Sequence, residues 1–401
     1  MSQWLEQLSG KPVQDFVFAN EHADERELVL QQKTIPGLPA ARIAEQIAGR
    51  RKSRKKLPLW YSTPGIVYPP SLNLEQSSSQ ATAKFKASFL KAEAQLNTLA
   101  DLTGGFGVDS FFFSKEFEAV TYVEPNADLL AIVRHNHVQL GSDNIQHIHS
   151  TAEEYIGSVS GKVVFYLDPS RRDENTRKIF RLSDCVPDIT QLQKFLFDKS
   201  EFMLLKASPL LDIQQGLREI TNVKTVVALS VENEMKELLF LSQKGFNAAP
   251  LWIAIDLDQE GNVKSKFPFL YEQEAAATAQ MSEPQQYLYE PNAAIMKTGA
   301  FKLTATLFGL SKLAVNTHLY TGAELIKDFP GRMFKIEMLN PSGDDLKKSL
   351  PDNRAHTAVR NYPLTAQQLM KKLKLEEGGD KFVWGFGSVK KKHVAVCERL
   401  S

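Results

Sequence analysis

Asp101-Leu-Thr-Gly-Gly-Phe-Gly107 stands between an apolar run, Leu96 to Leu102, and Val108-Asp-Ser-Phe-Phe-Phe113. That order predicts a buried strand, a glycine turn and a helix start. In a parallel α/β sheet, ligands bind where the carboxyl end of a strand turns into a helix, and glycines let the backbone approach them closely. An adenosine-containing cofactor is the first expectation. The alternative is a plain strand–helix turn in which Asp101 only caps the helix.

Counted from Gly105, the pattern is Gly-x-Gly-x-x-Ser, the dinucleotide fingerprint with Ser110 in place of the third glycine or alanine. Asp101 argues against a dinucleotide, because a pyrophosphate wants helix amides at the strand end rather than a second anion. S-adenosylmethionine (SAM) fits better. It has no phosphate and carries an ammonium and a sulfonium, to which a carboxylate offers a charge-assisted hydrogen bond. Thr103, Gly104, Gly105 and Gly107 complete this loop.

The pattern continues in register. Ala119 to Val123 reads as a second strand ending at Glu124, then passes through Pro125-Asn126 into a helix. Glu124, about 20 residues beyond the glycine turn, is spaced to accept hydrogen bonds from ribose hydroxyls; its alternative is a surface glutamate before a turn. A third strand, Ile145 to His149, leads into Ser150-Thr151-Ala152, where backbone groups of Thr151 and Ala152 could edge an adenine. The histidines at 135, 137, 147 and 149 have no cysteine or carboxylate completing a ligand spacing, so no metal is expected. A fourth strand, Lys162 to Leu167, opens onto Asp168-Pro-Ser-Arg-Arg-Asp173. A carboxylate and a rigid carbonyl there could orient an amine or ring nitrogen for in-line transfer; a bare Asp-Pro turn is the alternative.

At these residues the chain resembles the class I SAM-dependent methyltransferases. The resemblance spans about residues 75 to 258, with Phe202 to Pro209 as a fifth strand and its loop. It implies that Asp101 and the glycines hold the methionine, Glu124 the ribose, and Asp168 with Pro169 the target nitrogen. In that family the fourth motif is usually Asp or Asn followed by Pro-Pro and an aromatic. Here Ser170 replaces the second proline and Arg171 the aromatic, so Arg171 would stack through its guanidinium or take a phosphate. Thr103 stands where many members have glycine. Lys224 to Ser230, a helical Glu232 to Leu241 with Glu232 facing Lys236, and Ala249 to Leu257 would close a doubly wound, seven-stranded Rossmann-like sheet. Only Cys185 and Cys397 are present, and neither closely follows Asp168-Pro169 in sequence, which favours methylation of nitrogen over carbon.

A chain of 401 residues, 43% hydrophobic and 24% charged, should bury more than one core. No run is long enough for a membrane span, the N-terminal residues lack a signal-peptide pattern, and two cysteines suit a reducing cytoplasm. Residues 1–74 are expected to be a largely helical region, in which Ile35-Pro-Gly-Leu-Pro39 leads into a helical Ala40 to Ala48 and the run Arg50-Arg-Lys-Ser-Arg-Lys-Lys56 follows. That run could track a phosphate backbone or form a solvated helix face. A helix from Ala81 to Leu99 would lead into the methyltransferase domain, 75–258. Residues 259–330 are expected to form a small α+β domain with a helix around Glu290 to Gly299. Residues 331–401 form another, rich in Arg354, Arg360, Lys371, Lys372, Lys374, Lys381 and Lys390 to Lys392.

This segment order resembles bacterial class I methyltransferases carrying a ferredoxin-like insert and a C-terminal THUMP-like domain. Glu290-Pro-Asn-Ala-Ala-Ile, Thr298-Gly-Ala-Phe301, Arg360-Asn-Tyr-Pro363 and Glu377-Gly378-Gly379 carry the likeness. It implies an RNA substrate, tRNA or rRNA. The expectation is a cytoplasmic SAM-dependent enzyme methylating a nitrogen of an RNA base. A small-molecule or protein methyltransferase, and a SAM- or RNA-binding protein without turnover, are the alternatives.

Overall fold

The computed structural model describes residues 3–24, 27–28, 38–171 and 181–400. Most of Ile35 to Pro39 and all of Arg172-Asp173 therefore lie outside the described residues, and so does the side chain of Arg171. The chain is mixed α/β and divides into two compact units. The first holds residues 1–231, 236–248 and 257–263; the second holds 232–235, 249–256 and 264–401. No helix among the described residues is long and apolar enough to cross a membrane.

The strands are β1 (Thr98–Asp101), β2 (Ala119–Glu124), β3 (Ile145–His149), β4 (Val164–Leu167), the two-residue β5 (Ser170–Arg171) and β6 (Cys185–Val186), β7 (Phe202–Ala207), β8 (Val223–Val231), β9 (Glu234–Gln243), β10 (Leu251–Leu257) and β11 (Val263–Leu270). The main sheet is ordered β11-β10-β8-β9-β7-β4-β1-β2-β3, nine strands where seven were expected. From β3 to β7 neighbours run parallel. β9 then runs antiparallel to β7.

The largest correction falls at β9, where the sequence predicts a helix over Glu232 to Leu241. Glu, Met, Lys and Leu favour helix, but Glu232 and Asn233 adopt φ 49° and 62° and reverse the chain. The following residues then pair with β7 from Phe202↔Gln243 to Ala207↔Leu238. Sheet pairing and burial of Leu238 to Leu241 override local propensity. Glu232 faces Lys264 at 3.3 Å rather than Lys236.

The expected leading helix is shorter than predicted, Gln80–Glu93, because Leu99 already belongs to β1. Its N-cap is Ser79, whose side chain accepts from the Thr82 amide. The N-terminal helices pack into the first unit through Trp60, fully buried with its ring 5.1 Å from Phe111 in edge-to-face contact. Four of the six cations of the basic run make ion pairs or hydrogen bonds within the first unit. On the helix Ala40–Lys56, Arg50 pairs with Glu21 at 3.1 Å and lies 4.3 Å from the Tyr61 ring. Arg51 reaches the Ala23 carbonyl at 3.3 Å, Lys52 meets Glu75 at 2.5 Å, and Lys56 donates to the carbonyls of Leu74 and Glu75. Arg51, Lys52, Arg54 and Lys55 are all exposed.

The second unit carries β12 (Tyr287–Pro291), β13 (Ser311–Ala314), β14 (Thr317–Gly322), β15 (Gly331–Leu339), β16 (His356–Arg360), β17 (Lys381–Gly387) and β18 (Lys392–Arg399). These form one sheet, β13-β14-β12-β15-β18-β17-β16. Pairing of β12 with β15 carries that sheet across residue 330. Its core includes Leu288, Leu319, Phe334, Trp384 and Phe386. Glu290 and Pro291, expected in a helix, instead end β12, because proline is tolerated at a strand end; the helix is Ala293–Thr298. Buried Glu290 holds both Arg332 and Arg360 at 2.6 Å. Arg354 faces Glu376 and Lys381 faces Glu337, whereas Lys371, Lys372, Lys374 and Lys390 to Lys392 are exposed.

Candidate active site

In the first unit, a cleft of about 810 Å³ lies at the carboxyl ends of β1, β2, β4 and β7. Asp101, Thr103, Gly104, Gly105, Gly107, Glu124, Pro125, Thr151, Ala152, Asp168 and Pro169 all line it. The expected cofactor residues and the Asp-Pro turn are thus brought to one sheet edge.

One wall is the glycine loop. Gly105 and Gly107 have φ of +52° and +71°, a region in which glycine carries no Cβ penalty. A Cβ on Gly104 would lie 2.2 Å from the Tyr122 ring, and one on Gly107 would lie 2.4 Å from Val133. The loop therefore lies flat on β2 and its helix. Its hydrogen bonds are specific: the Gly104 amide donates to the Val123 carbonyl at 2.9 Å, and the Tyr122 hydroxyl donates to the Gly105 carbonyl at 2.6 Å.

Asp101 is buried beneath this loop. It accepts from the Thr103 amide at 3.1 Å and from the Ser110 hydroxyl at 2.5 Å. Ser110, the departure from the dinucleotide fingerprint, thus serves as donor to the carboxylate. Burial pushes the Asp101 carboxyl up to about 7; Ser110 opposes that rise and the neighbouring Asp109 adds to it. Glu124 is also buried. Its two oxygens accept from the Gly105 amide at 3.0 Å and the Asn126 amide at 2.9 Å. Burial raises its pKa against those two bonds.

Histidine fixes the same loop. His137 Nε2 faces the Gly107 carbonyl at 2.9 Å and must donate, so its Nδ1 accepts from His147 Nε2 at 2.9 Å. Burial lowers His137 to about 3 and His147 to about 4, and both stay neutral at physiological pH. Among the described residues, no three His, Cys, Asp or Glu gather as a metal site. At the β3 end, Thr151 caps the helix Ala152–Ser158 in a capping box with Glu154. Its amide and carbonyl are already bonded, to Glu154 at 3.2 Å and the Tyr155 amide at 3.1 Å.

The opposite wall differs from what the residues alone suggest. Thr103 uses its hydroxyl to accept from the Asp168 amide at 2.6 Å, tying the first loop to the end of β4. The Asp168 carboxylate is ion-paired with Lys206, the penultimate residue of β7. Burial raises the Asp168 pKa, and Lys206 is the strongest influence holding it down. Burial would lower Lys206, but Asp168, then Glu237 and Asp109, hold it well above the ordinary lysine value. The ammonium is therefore retained.

Beneath this pair lies a buried network that sequence reading missed. Lys86, fully buried, sits 2.9 Å from both Asp109 and Glu237 and donates to the Ser78 hydroxyl at 2.6 Å. The Tyr166 hydroxyl donates to Asp109 at 2.8 Å. The signal available in sequence was a lysine within an otherwise apolar helix face, and its partners come from three other elements.

Cys185 requires a second correction. Far from Asp168 in sequence, it pairs with Arg171 across β5 and β6 and lines the cleft. Sequence separation hid this because β6 pairs antiparallel with β5. Distance from Asp168-Pro169 therefore cannot choose nitrogen over carbon. Cys397 is buried in β18, where burial pushes its thiol far above the ordinary value.

No curated protein matches the chain. One family model matches, a ferredoxin-like domain over residues 287–330. Among solved structures, a candidate methyltransferase from Porphyromonas gingivalis W83 is similar over 97% of this chain and 98% of its own, with 28% identity and a TM-score of 0.83. A candidate methyltransferase from Streptococcus mutans in complex with SAH aligns with 39% of this chain and 94% of its own, at 15% identity and a TM-score of 0.30. An rRNA methylase from Streptococcus thermophilus aligns with 40% of this chain and 94% of its own, at 14% identity and a TM-score of 0.29. Nearly the whole chain thus resembles a candidate methyltransferase in fold, and one segment resembles a ferredoxin-like domain.

Proposed function

We propose that this protein is a SAM-dependent methyltransferase of class I architecture whose acceptor is carried by RNA. The observation carrying the cofactor assignment is the convergence of Asp101, Glu124 and a flattened glycine loop on one cleft edge. Full-length similarity to a candidate methyltransferase supports it, as does the strand order in which β9 runs antiparallel between β7 and β8.

The cleft fits SAM chemically. Its volume suits a cofactor of that size. Asp101, through an anionic form available near neutrality, would bind the ammonium. Glu124 keeps a lone pair on each oxygen beyond its two amide bonds, and these would accept from ribose hydroxyls. Ala152, with the Thr151 cap beside it, would border the adenine. When bound, SAM supplies an electrophilic methyl group. Asp168 and Pro169 would orient the acceptor, and Thr103 would keep Asp168 in register with the loop. Arg171 is retained as an acceptor contact through its place in β5 beside Cys185.

The RNA reading draws on the exposed lysines 371, 372, 374 and 390 to 392 in the second unit. It draws little on Arg50 to Lys56, whose charges are largely engaged. A base nitrogen was the acceptor favoured by sequence; the surroundings of Asp168 bear on that choice. The test is labelled methyl transfer to total RNA. Wild type should transfer, and Asp168→Ala should fall by about 100-fold or more while SAM affinity by calorimetry changes little. Undiminished transfer by Asp168→Ala removes that residue from the reaction. Absence of SAM binding rejects the assignment.

A further inference from the structure

Lys206 is a charged group of the cleft, in direct contact with Asp168, that the proposed roles leave unused. It lines the cleft beside Asp168 and is ion-paired to it at the carboxyl end of β7. Its surroundings hold the ammonium protonated. We propose that the methyl acceptor is a hydroxyl oxygen, with Lys206 donating a hydrogen bond to it and Asp168 receiving its proton. This rests on the methyltransferase reading and replaces the acceptor atom that sequence favoured.

The argument is one of donors and acceptors. An ammonium has three N–H donors and no lone pair. One is engaged by Asp168. An attacking nitrogen facing another would have its lone pair held by that hydrogen bond and withheld from the methyl carbon. An amino N–H facing it would meet a donor. A hydroxyl oxygen has two lone pairs, so it can accept from Lys206 through one and attack through the other. As its proton leaves, negative charge grows on that oxygen, where a preorganised ammonium stabilises it.

Asp168 completes the balance. Its backbone is fixed by Thr103, its carboxylate is partly open to the cleft, and Lys206 pairs with its Oδ2. Burial raises its proton affinity towards that of a useful base. In the step, the hydroxyl oxygen forms a bond to the methyl carbon and the carbon–sulfur bond breaks. The bonding pair stays on sulfur, converting sulfonium to thioether. The hydroxyl proton passes to Asp168 and then to water in the cleft. No other reactant is needed. The described lining supplies one aromatic side chain, Phe106, itself buried, so it offers little for gripping a base by stacking. On RNA, an acceptor hydroxyl is a ribose hydroxyl.

The experiment uses the full chain, methyl-labelled SAM and total RNA, followed by digestion and mass spectrometry of nucleosides. The expected result is label on the sugar, with the base fragment unshifted. Lys206→Met should then lose about 100-fold or more in transfer rate, with SAM affinity within about threefold as the check that the variant is folded and its cofactor loop intact. Lys206→Arg, retaining charge and donors, should recover part of the rate. Label on a base nitrogen or carbon overturns the proposal while leaving the methyltransferase reading intact. Full-rate transfer by Lys206→Met also overturns it. Failure of the wild-type protein to bind SAM is a failure of the underlying reading instead, and calorimetry records it separately.

Discussion

The two walls of the cleft share one sheet edge yet are built differently. The glycine wall is local: Asp101, Thr103, Gly105, Ser110 and Glu124 satisfy one another within a short stretch of chain, largely through backbone amides. The Asp168 wall is assembled from distant elements. Lys206 comes from β7, and beneath it Lys86, Asp109 and Glu237 come from two helices and β9. The first wall shapes a binding surface with backbone; the second sets electrostatics with side chains. Local construction makes the first resistant to distant change, whereas the second depends on the whole unit folding correctly.

That contrast can be broken most forcefully at Lys86. Lys86→Met leaves Asp109 and Glu237 without their buried cation, and the expected loss is about 3–5 kcal/mol of stability, measured by chemical denaturation. A loss below about 1 kcal/mol would mean that the distant network does not hold the fold. Gly104→Ala comes next. Its Cβ would meet the Tyr122 ring at 2.2 Å, so the loop must move. Destabilisation of about 1–3 kcal/mol is expected, together with loss of measurable SAM binding in calorimetry. Glu124→Ala should be smaller, weakening SAM by about 10- to 100-fold while the melting temperature moves little. Retention of full affinity would separate β2 from the cofactor.

The smallest effect is a pH dependence. Asp101 titrates at about 7 when folded, above its ordinary value of 3.8. A raised carboxyl favours the folded state while protonated, and that contribution is lost as pH rises from about 4 through 7. Asp101→Asn should therefore gain stability relative to wild type across that window. For binding the sign reverses. The ammonium of SAM needs the carboxylate, so affinity should fall by up to tenfold per pH unit below about 7, with proton uptake or release visible in buffers of different ionisation enthalpy. A pH-independent affinity would exclude Asp101 from that contact.

How legible these walls were follows from their construction. β1 to β4 stand where the sequence predicts them, because each is a short strand bounded by turn residues; β1, β2 and β4 are largely buried and β3 is partly exposed. Asp101 and Glu124 could be read because their partners are sequence neighbours. Asp168 was visible, but Lys206 was hidden inside an apolar strand where a lysine has no local signature. Cys185 was discounted on sequence distance that the antiparallel pairing of β5 with β6 abolishes. The error at β9 had the same root: helix-forming residues read alone carry no information about the open edge of β7 that captures them.

The sequence by itself therefore determined the alternation of strands and helices, the glycine turn and the acidic residues beside it, since hydrophobic period and backbone freedom act over a few residues. Only the tertiary structure decided which charges meet. It engaged most of the basic run in ion pairs and hydrogen bonds, joined the segments on either side of residue 330 in one sheet, and set a lysine against the Asp-Pro turn. The physical reason is that a buried ion pair depends on the distance between side chains in space, and that distance is fixed only when separate elements pack.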